Sequence, residues 1–239
     1  MTVTTTPDPR LRPLLTRDYL RFHQPADEGM TWLATPSTTV TVIINLGEAF
    51  GGLPTAFITG LNDQARLVDQ YGEIDCVDLK LTPLGAYRLF GVPMNELTND
   101  IVDLADLTTL NPHDLDEELL RLADRGPEPA PEVVWAWRKL AATRGAVPVG
   151  ALAAEVGWSR RHLVNRFQAQ VGLPPKTVAR IMRFEELLRR LPRTSRGQAA
   201  AVAVACGYYD QAHMIRDFRE FAGTTPGEYL ARFPSVQYP

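Results

Sequence analysis

The sequence contains only two cysteines among its 239 residues, Cys76 and Cys206, which is too few for a disulfide framework or a Cys-based metal cluster. No stretch approaches the roughly eighteen consecutive apolar residues that a membrane span requires, and residues 1–12 are rich in Thr and Pro. Gly-rich phosphate loops and Ser/His/Asp sets are also lacking. We therefore expect a reduced, cytoplasmic protein with no signal peptide, no membrane partner, no catalytic residues and no cofactor.

Charge is distributed unevenly about Pro131. The chain as a whole has a net charge of −3. From Pro131 onward, 16 Lys and Arg stand against 8 Asp and Glu, a balance of +8, whereas the preceding residues carry 9 against 20, a balance of −11. Since phosphate attracts basic surfaces and repels acidic ones, only the second half is expected to contact nucleic acid.

The same position marks a change in the pattern of residues, and the sequence predicts a two-domain α+β protein. Three prolines within residues 125–131 predict an extended linker between an N-terminal domain (1–124) and a C-terminal domain (132–239). Short β-branched stretches at 40–46, 55–59 and 74–81 predict a mainly β sandwich or barrel, followed by helices at 83–90 and 114–124. We expect this acidic domain to serve regulation, effector binding or dimerisation.

The C-terminal half instead shows helical periodicity, and we expect an all-α domain of about seven helices. The predicted ranges are 132–143, 149–156, 159–170, 177–191, 198–206, 210–222 and 228–233.

A pattern occurs twice within these helices. Each copy is a short apolar helix, a glycine turn, and a second helix that begins at a good N-cap residue, Ser159 or Asp210. Four residues of the first copy recur 51 positions later, namely His162, Phe167, Gly172 and Pro175, and Leu163 is matched there by the apolar Met214. The turn glycine recurs after 50 positions, as Gly157 and Gly207, so the second turn is one residue longer. This is the sequence form of two helix-turn-helix motifs.

The outer faces of the two second helices carry side chains suited to the major groove. Arg pairs with guanine, Asn or Gln pairs with adenine, and small apolar groups contact the thymine methyl. The DNA-binding candidates are Arg160, Arg161, Val164, Asn165 and Gln168 in the first copy, and Gln211, Ala212, Ile215, Arg216 and Arg219 in the second. The candidates for phosphate contact are Arg138, Lys139, Lys176, Arg180 and Arg183. His162 and His213 lack a third ligand, so we expect no metal.

The residues that carry this pattern resemble the AraC/XylS-type bacterial transcription regulators. Ala153 to Gly172 resembles the first helix-turn-helix of that family, and Ala205 to Tyr229 its more diagnostic second. Asn165 stands where the family often has Arg, so base preference in the first half-site is expected to differ. The resemblance implies two recognition helices in successive major grooves, about 34 Å apart.

The N-terminal half resembles, more weakly, the cupin-like sensor modules of that family, through Leu79 to Pro93. Enzymatic cupins hold a metal with clustered His, but this half has only His23 and His113, far apart in sequence. The resemblance therefore implies a sensor without a metal, and a small-molecule effector is left open.

Three functions compete. The leading hypothesis is a sequence-specific transcription regulator that binds double-stranded DNA, associates with the nucleoid, and contacts RNA polymerase if it is an activator. The alternatives are a helix-turn-helix protein that acts through protein–protein interaction, and an alkylation-repair enzyme, for which a reactive cysteine cluster is lacking. Two recognition helices in one chain can cover a site without a partner, so monomer and homodimer are both open.

Overall fold

The computed structural model describes residues 1–25, 30–47, 52–70, 72–191 and 198–233. It confirms the predicted fold class, since a β-rich N-terminal region precedes a C-terminal region built from helices. The predicted C-terminal domain extends past residue 233 and includes 192–197, which lie outside the described residues. Over the described ranges, no helix combines the length and apolar character needed to cross a membrane.

The N-terminal region contains eight strands in the described part of the chain. They are β1 (Thr2–Thr5), β2 (Tyr19–Gln24), β3 (Met30–Ala34), β4 (Val40–Asn45), β5 (Ala56–Thr59), β6 (Arg66–Gln70), β7 (Ile74–Leu81) and β8 (Ile101–Asp103). Six of them form an antiparallel sheet in the order β1-β2-β7-β4-β5-β8, and β3 pairs with β6 in a separate two-stranded sheet. The larger sheet is open, with β1 and β8 at its edges.

The central strands β4 and β7 alternate in burial, as a sheet with one face on a core requires. Val40 and Val42 of β4 and Leu79 and Leu81 of β7 are buried, and they join the main hydrophobic core. Helix α1 (Pro83–Phe90) follows β7 directly, because the Thr82 side chain accepts a hydrogen bond from the Gly85 N–H at 2.9 Å and caps the helix. Helix α2 (Leu115–Arg125) completes this region.

Seven helices lie between residues 131 and 233 in the described ranges, and each agrees with its predicted range to within two residues at both ends. They are α3 (Pro131–Ala142), α4 (Val149–Glu155), α5 (Arg160–Val171), α6 (Pro175–Arg190), α7 (Ala199–Ala205), α8 (Gln211–Ala222) and α9 (Pro226–Arg232). Helix α6 runs through the middle of the region and buries Val178, Ile181, Phe184 and Leu187 completely.

One continuous hydrophobic core joins the two regions, from Leu11 to Phe233. Of the predicted linker 125–131, residues 126–130 are non-helical and pack closely against their surroundings, while Arg125 ends α2 and Pro131 begins α3. A Cβ atom placed on Gly126 would lie 1.6 Å from the Arg88 carbonyl oxygen, so a side chain there has no room. At the end of the segment, the Ala130 N–H donates to the Gln170 side-chain oxygen at 3.0 Å, which ties it to α5.

Candidate nucleic-acid interface

The first repeat folds into two helices joined by a tight turn. Helix α4 ends before Gly157, whose φ of +71° is a backbone conformation that glycine adopts without strain. The Ser159 hydroxyl then accepts a hydrogen bond from the His162 N–H at 3.2 Å and caps α5. Leu163 and Phe167 lie one turn apart on the inner face of α5 and are fully buried, so they fix α5 against the rest of the region.

The second repeat reproduces this geometry. Gly207 has a φ of +82°, and the Asp210 carboxylate accepts a hydrogen bond from the His213 N–H at 2.7 Å to cap α8. Met214 and Phe218 are the buried anchors of α8. The predicted caps, turn glycines and anchors are confirmed in both copies, so the chain contains two helix-turn-helix motifs.

The recurring histidines pack against the turn that precedes them. The His162 ring lies edge-on to Trp158 with 4.5 Å between ring centroids, and the His213 ring lies edge-on to Tyr208 at 5.3 Å. His213 also approaches the Asp217 carboxylate at 3.8 Å. Their place in the structure is therefore that of turn-packing residues. Over the ranges that the structure describes, no three His, Cys, Asp or Glu side chains are grouped as a metal site would need.

The predicted base-contacting side chains lie on the solvent side of α5 and α8. Val164, Gln168 and Ile215 are half-buried, and the remaining seven are exposed: Arg160, Arg161, Asn165, Gln211, Ala212, Arg216 and Arg219. Among the described residues, Arg160, Arg161 and Arg216 have no ion-pair or hydrogen-bond partner. These three guanidinium groups are thus available to a ligand.

The five predicted phosphate-contact residues divide into two groups. Arg138 and Lys176 are exposed, and Lys139 is half-buried, 3.5 Å from the Glu155 carboxylate and above the Trp135 ring. Arg180 and Arg183 point into the protein instead.

Arg180 holds α6 to α8. Its guanidinium donates to Asp217 at 3.0 Å and to Glu220 at 2.8 Å, and it lies 4.7 Å from the centroid of the Phe221 ring. The hydrogen bond with Glu220 is the largest of the effects that raise the pKa of Arg180, and Asp217 adds to it against the opposing effect of burial. Asp217 is only 6% exposed, so this ion pair is largely screened from solvent.

Arg183 links the turn between α3 and α4 to the second motif. Its Nη1 donates to the Gly145 carbonyl oxygen at 2.8 Å, in the turn after α3, and its guanidinium lies 5.7 Å from the Tyr208 ring centroid in the second motif. One turn further along α6, the buried Glu186 receives Arg190 at 2.5 Å and Arg189 at 2.6 Å. Arg180 and Arg183 therefore form an internal brace between α6 and its neighbours, whereas Arg189 and Arg190 pair with Glu186 within α6 itself.

Residues 152–232 match the family model described as a helix-turn-helix domain, which is of the AraC type. The C-terminal region carries an AraC-type helix-turn-helix domain. Residues 3–103 match a second model, described only as a domain of unknown function (DUF6597). No curated protein matches the chain.

Solved structures similar to the AraC-type domain come from bacteria. The C-terminal domain of AraT from Geobacillus stearothermophilus is 17% identical and covers 47% of this chain and 94% of its own, with a TM-score of 0.41. An AraC-type regulator from Chromobacterium violaceum is 24% identical over 45% and 96%, with a TM-score of 0.39. ToxT from Vibrio cholerae O395 is 11% identical over 98% and 97%, with a TM-score of 0.42. The assignment rests on the matched sequence and on the two motifs.

The N-terminal region contacts the AraC-type domain at the end of α5. The Thr98 hydroxyl donates to the Gly172 carbonyl oxygen at 3.1 Å, next to the buried Gln170 that receives Ala130. The acidic half of the chain therefore lies beside the C-terminal end of α5. Sequence reasoning had no signal for this contact, because its partners are 74 residues apart.

A second contact reaches α6. The Glu185 carboxylate accepts hydrogen bonds from the Thr38 N–H and from the Thr38 hydroxyl, both at 2.8 Å. Burial raises the pKa of Glu185 because its bonded partners are neutral donors, which offset only part of the cost of burying a charge. Thr38 precedes β4, so a strand of the N-terminal sheet is linked directly to the helix between the two motifs.

Two exposed residues beside the candidate interface were missed from the sequence. Arg166 lies on α5 with its side chain in solvent. Tyr209 is the extra residue of the second turn and is 88% exposed. The one-residue difference between the turns is the signal in the sequence that could have identified Tyr209.

Proposed function

We propose that this protein is a sequence-specific transcription regulator that inserts α5 and α8 into successive major grooves of double-stranded DNA, about 34 Å apart. The observation that carries the proposal is the pair of motifs, each with a positive-φ turn glycine and a capped second helix that presents exposed polar side chains. The basic balance after Pro131 supports it, since the phosphate backbone supplies most of the attraction in such complexes.

The two helices differ in charge where they begin. Helix α5 starts with a neutral cap, Ser159, followed by Arg160 and Arg161. Helix α8 starts with an anionic cap, Asp210, followed by uncharged residues. The end of a recognition helix that reaches base edges is its N-terminal end. We therefore infer an asymmetric site, in which the half under α5 is read by arginine and favours guanine, while Gln211 favours adenine in the other half.

Phosphate contacts are assigned in the proposal to Arg138, Lys139 and Lys176, whose side chains reach solvent. Arg180 and Arg183 are assigned instead to the internal brace, because their guanidinium groups are already engaged with Asp217, Glu220 and the Gly145 carbonyl. This changes the role expected for these two residues from the sequence.

The N-terminal region is proposed as the regulatory module, with the boundary at residues 125–131. Its contacts with the end of α5 and with α6 give it a direct route to both motifs. RNA polymerase is the further partner expected of an activator. The same region would hold a small effector or form the contact of a dimer. A monomer that covers the operator alone is the alternative to the dimer. The alkylation-repair alternative is disfavoured, because Cys76 is buried and burial raises its pKa to about 12, which suppresses the reactive thiolate.

The test is fluorescence anisotropy of the full chain with a library of genomic fragments, repeated over a series of salt concentrations. We expect the affinity to fall steeply as salt rises, because phosphate contacts release counterions. Absence of binding at low salt, or binding with no salt dependence, would overturn the proposal and leave the protein–protein interaction hypothesis in its place.

Two variants test base reading once an operator is known. Arg161→Ala and Arg216→Ala should each lose about 1–3 kcal/mol of binding free energy, and the loss should depend on the bases of one half-site. Arg121→Ala, an exposed arginine of α2 in the N-terminal region, is the matched control and should bind normally. An equal loss for every DNA sequence would show that these arginines contact phosphate rather than bases.

A further inference from the structure

The turns of the two motifs differ by one residue, and that residue is Tyr209. Between the turn glycine and the N-cap the first motif has only Trp158, whereas the second has Tyr208 and Tyr209. Tyr208 takes the place of Trp158, since the N–H of each donates at 3.0 Å to the carbonyl oxygen of the residue five positions before it. Tyr209 therefore has no counterpart in the first motif.

The backbone of Tyr209 is held while its side chain is free. Its N–H donates to the His213 Nδ1 at 3.4 Å, which fixes the turn against the first turn of α8. The side chain is 88% exposed and, within the described ranges, contacts no other ring and has no hydrogen-bond partner. A single exposed aromatic is ordinary on a protein surface. What sets this one apart is its position, directly before the cap of a recognition helix.

The charges around this position favour a neutral hydrogen-bond donor. Two arginines, Arg160 and Arg161, open the first recognition helix and can attract phosphate. The second opens with the Asp210 carboxylate, which repels phosphate, and with Gln211 and Ala212, which carry no charge. The first turn of α8 thus offers a phosphate no cation of its own, since its arginines, Arg216 and Arg219, come later in the helix. Tyrosine hydroxyls are among the side chains that commonly donate to phosphate oxygens.

We propose that Tyr209 is a DNA-backbone contact of the second motif. Its hydroxyl donates to a phosphate at the edge of the half-site under α8, and its ring covers the adjacent deoxyribose. This inference rests on the proposed DNA-binding function. The contact positions α8 in the groove without reading bases, and because the donor is neutral it adds no counterion release.

The experiment compares the full-length wild type with Tyr209→Phe and Tyr209→Ala on one operator fragment. Loss of a hydrogen bond to a charged group should weaken binding by Tyr209→Phe roughly tenfold, and Tyr209→Ala further. The loss should be equal for the operator and for base-substituted operators, and the slope of affinity against salt should stay at the wild-type value. Tyr208→Phe is the matched control, because the Tyr208 hydroxyl is buried without a hydrogen-bond partner.

A scan with single neutral methylphosphonates places the contact on the DNA. A methylphosphonate at one position in the α8 half-site should weaken DNA binding by the wild type and leave binding by Tyr209→Phe unchanged. If the wild type binds DNA and both Tyr209 variants bind with the wild-type affinity, the inference about Tyr209 fails while the proposed function stands. The same holds if the loss of affinity in these variants depends on the base sequence. If the wild type binds no DNA, both fail together.

Discussion

Replacing Arg180 with Met distinguishes an internal stabilising role of this residue from a contact with DNA. The substitution keeps a long, flexible side chain but removes the guanidinium that joins α6 to Asp217 and Glu220 of α8. If the role of Arg180 is internal, the variant should lose conformational stability and keep its electrostatic dependence on DNA. A phosphate contact would give the opposite result.

The expected loss follows from the surroundings of each partner. Breaking a buried ion pair by removing one member typically costs 3–5 kcal/mol, since a charge is left buried without a partner. Asp217 is buried but keeps His213 at 3.8 Å, and the Arg180 side chain is 21% exposed, so the lower end applies. The pair with Glu220 adds little because that side chain is 60% exposed. Loss of the contact with Phe221 adds about 0.5–1 kcal/mol.

Together these effects give a loss of about 3.5–4 kcal/mol, or roughly 7–16 °C in melting temperature for a chain of this length. Urea unfolding followed by circular dichroism measures it, with Arg138→Met as the matched control, since Arg138 is exposed. In an Asp217→Asn background the same substitution should cost only about 1 kcal/mol, because no buried charge is then left behind.

Two results would refute this reasoning. One is an Arg180→Met protein within about 0.5 kcal/mol of the wild type in unfolding free energy. The other is a fall of about one in the salt slope of DNA binding at unchanged stability, the behaviour of a phosphate contact.

Three further predictions follow from the fold. Gly157→Ala should lower the unfolding free energy by about 1 kcal/mol because of its positive φ. Gly207→Ala should lower it further, since its Cβ would lie 3.2 Å from the Arg183 Cδ. Equal urea midpoints for the two variants would contradict this. Gly126→Ala should destabilise by about 3 kcal/mol as its Cβ meets the Arg88 carbonyl, whereas Gly227→Ala, with open space around it, should lose nothing in thermal unfolding. Because the pKa of Glu185 is raised in the folded protein, its contribution to stability is full below the unfolded value and is lost as pH rises through the folded value. The unfolding free energy of Glu185→Gln should therefore decline less with rising pH than that of the wild type, and parallel profiles would exclude this role.

Local signals explain why the C-terminal helices could be predicted closely from the sequence. Caps such as Ser159 and Asp210, turn glycines, and apolar residues at helical spacing all act within a few residues of the chain. The same holds for β4, β5 and β7, which are rich in β-branched residues. Helix-turn-helix geometry is set by such short-range features, so the motif and its outward-facing side chains were accessible from the repeat alone.

The features that were missed depend on partners distant in sequence. Strand β1 is exposed along its whole length, so it lacks the alternation that marks a half-buried strand, and its strand structure comes from pairing with β2. In β2, Leu20 to His23 alternate between apolar and polar side chains, a short local signal that pairing with β7 completes. In the sequence, Arg180 cannot be distinguished from an arginine that binds DNA. Its internal role is shown only by its contact with Asp217, which is 37 residues away.

The continuous core between the two regions also limits how this protein can be divided or recombined by engineering. A fragment that began at residue 131 would expose the end of α5 and remove the partner of the Glu185 carboxylate. The C-terminal region therefore cannot be moved to another protein without loss of contacts, because Met94 and Thr98 of the preceding region pack against Gly172 at the end of α5. A chimaera that exchanges the N-terminal region must therefore carry the matching contact residues, Thr38 and Thr98, with it.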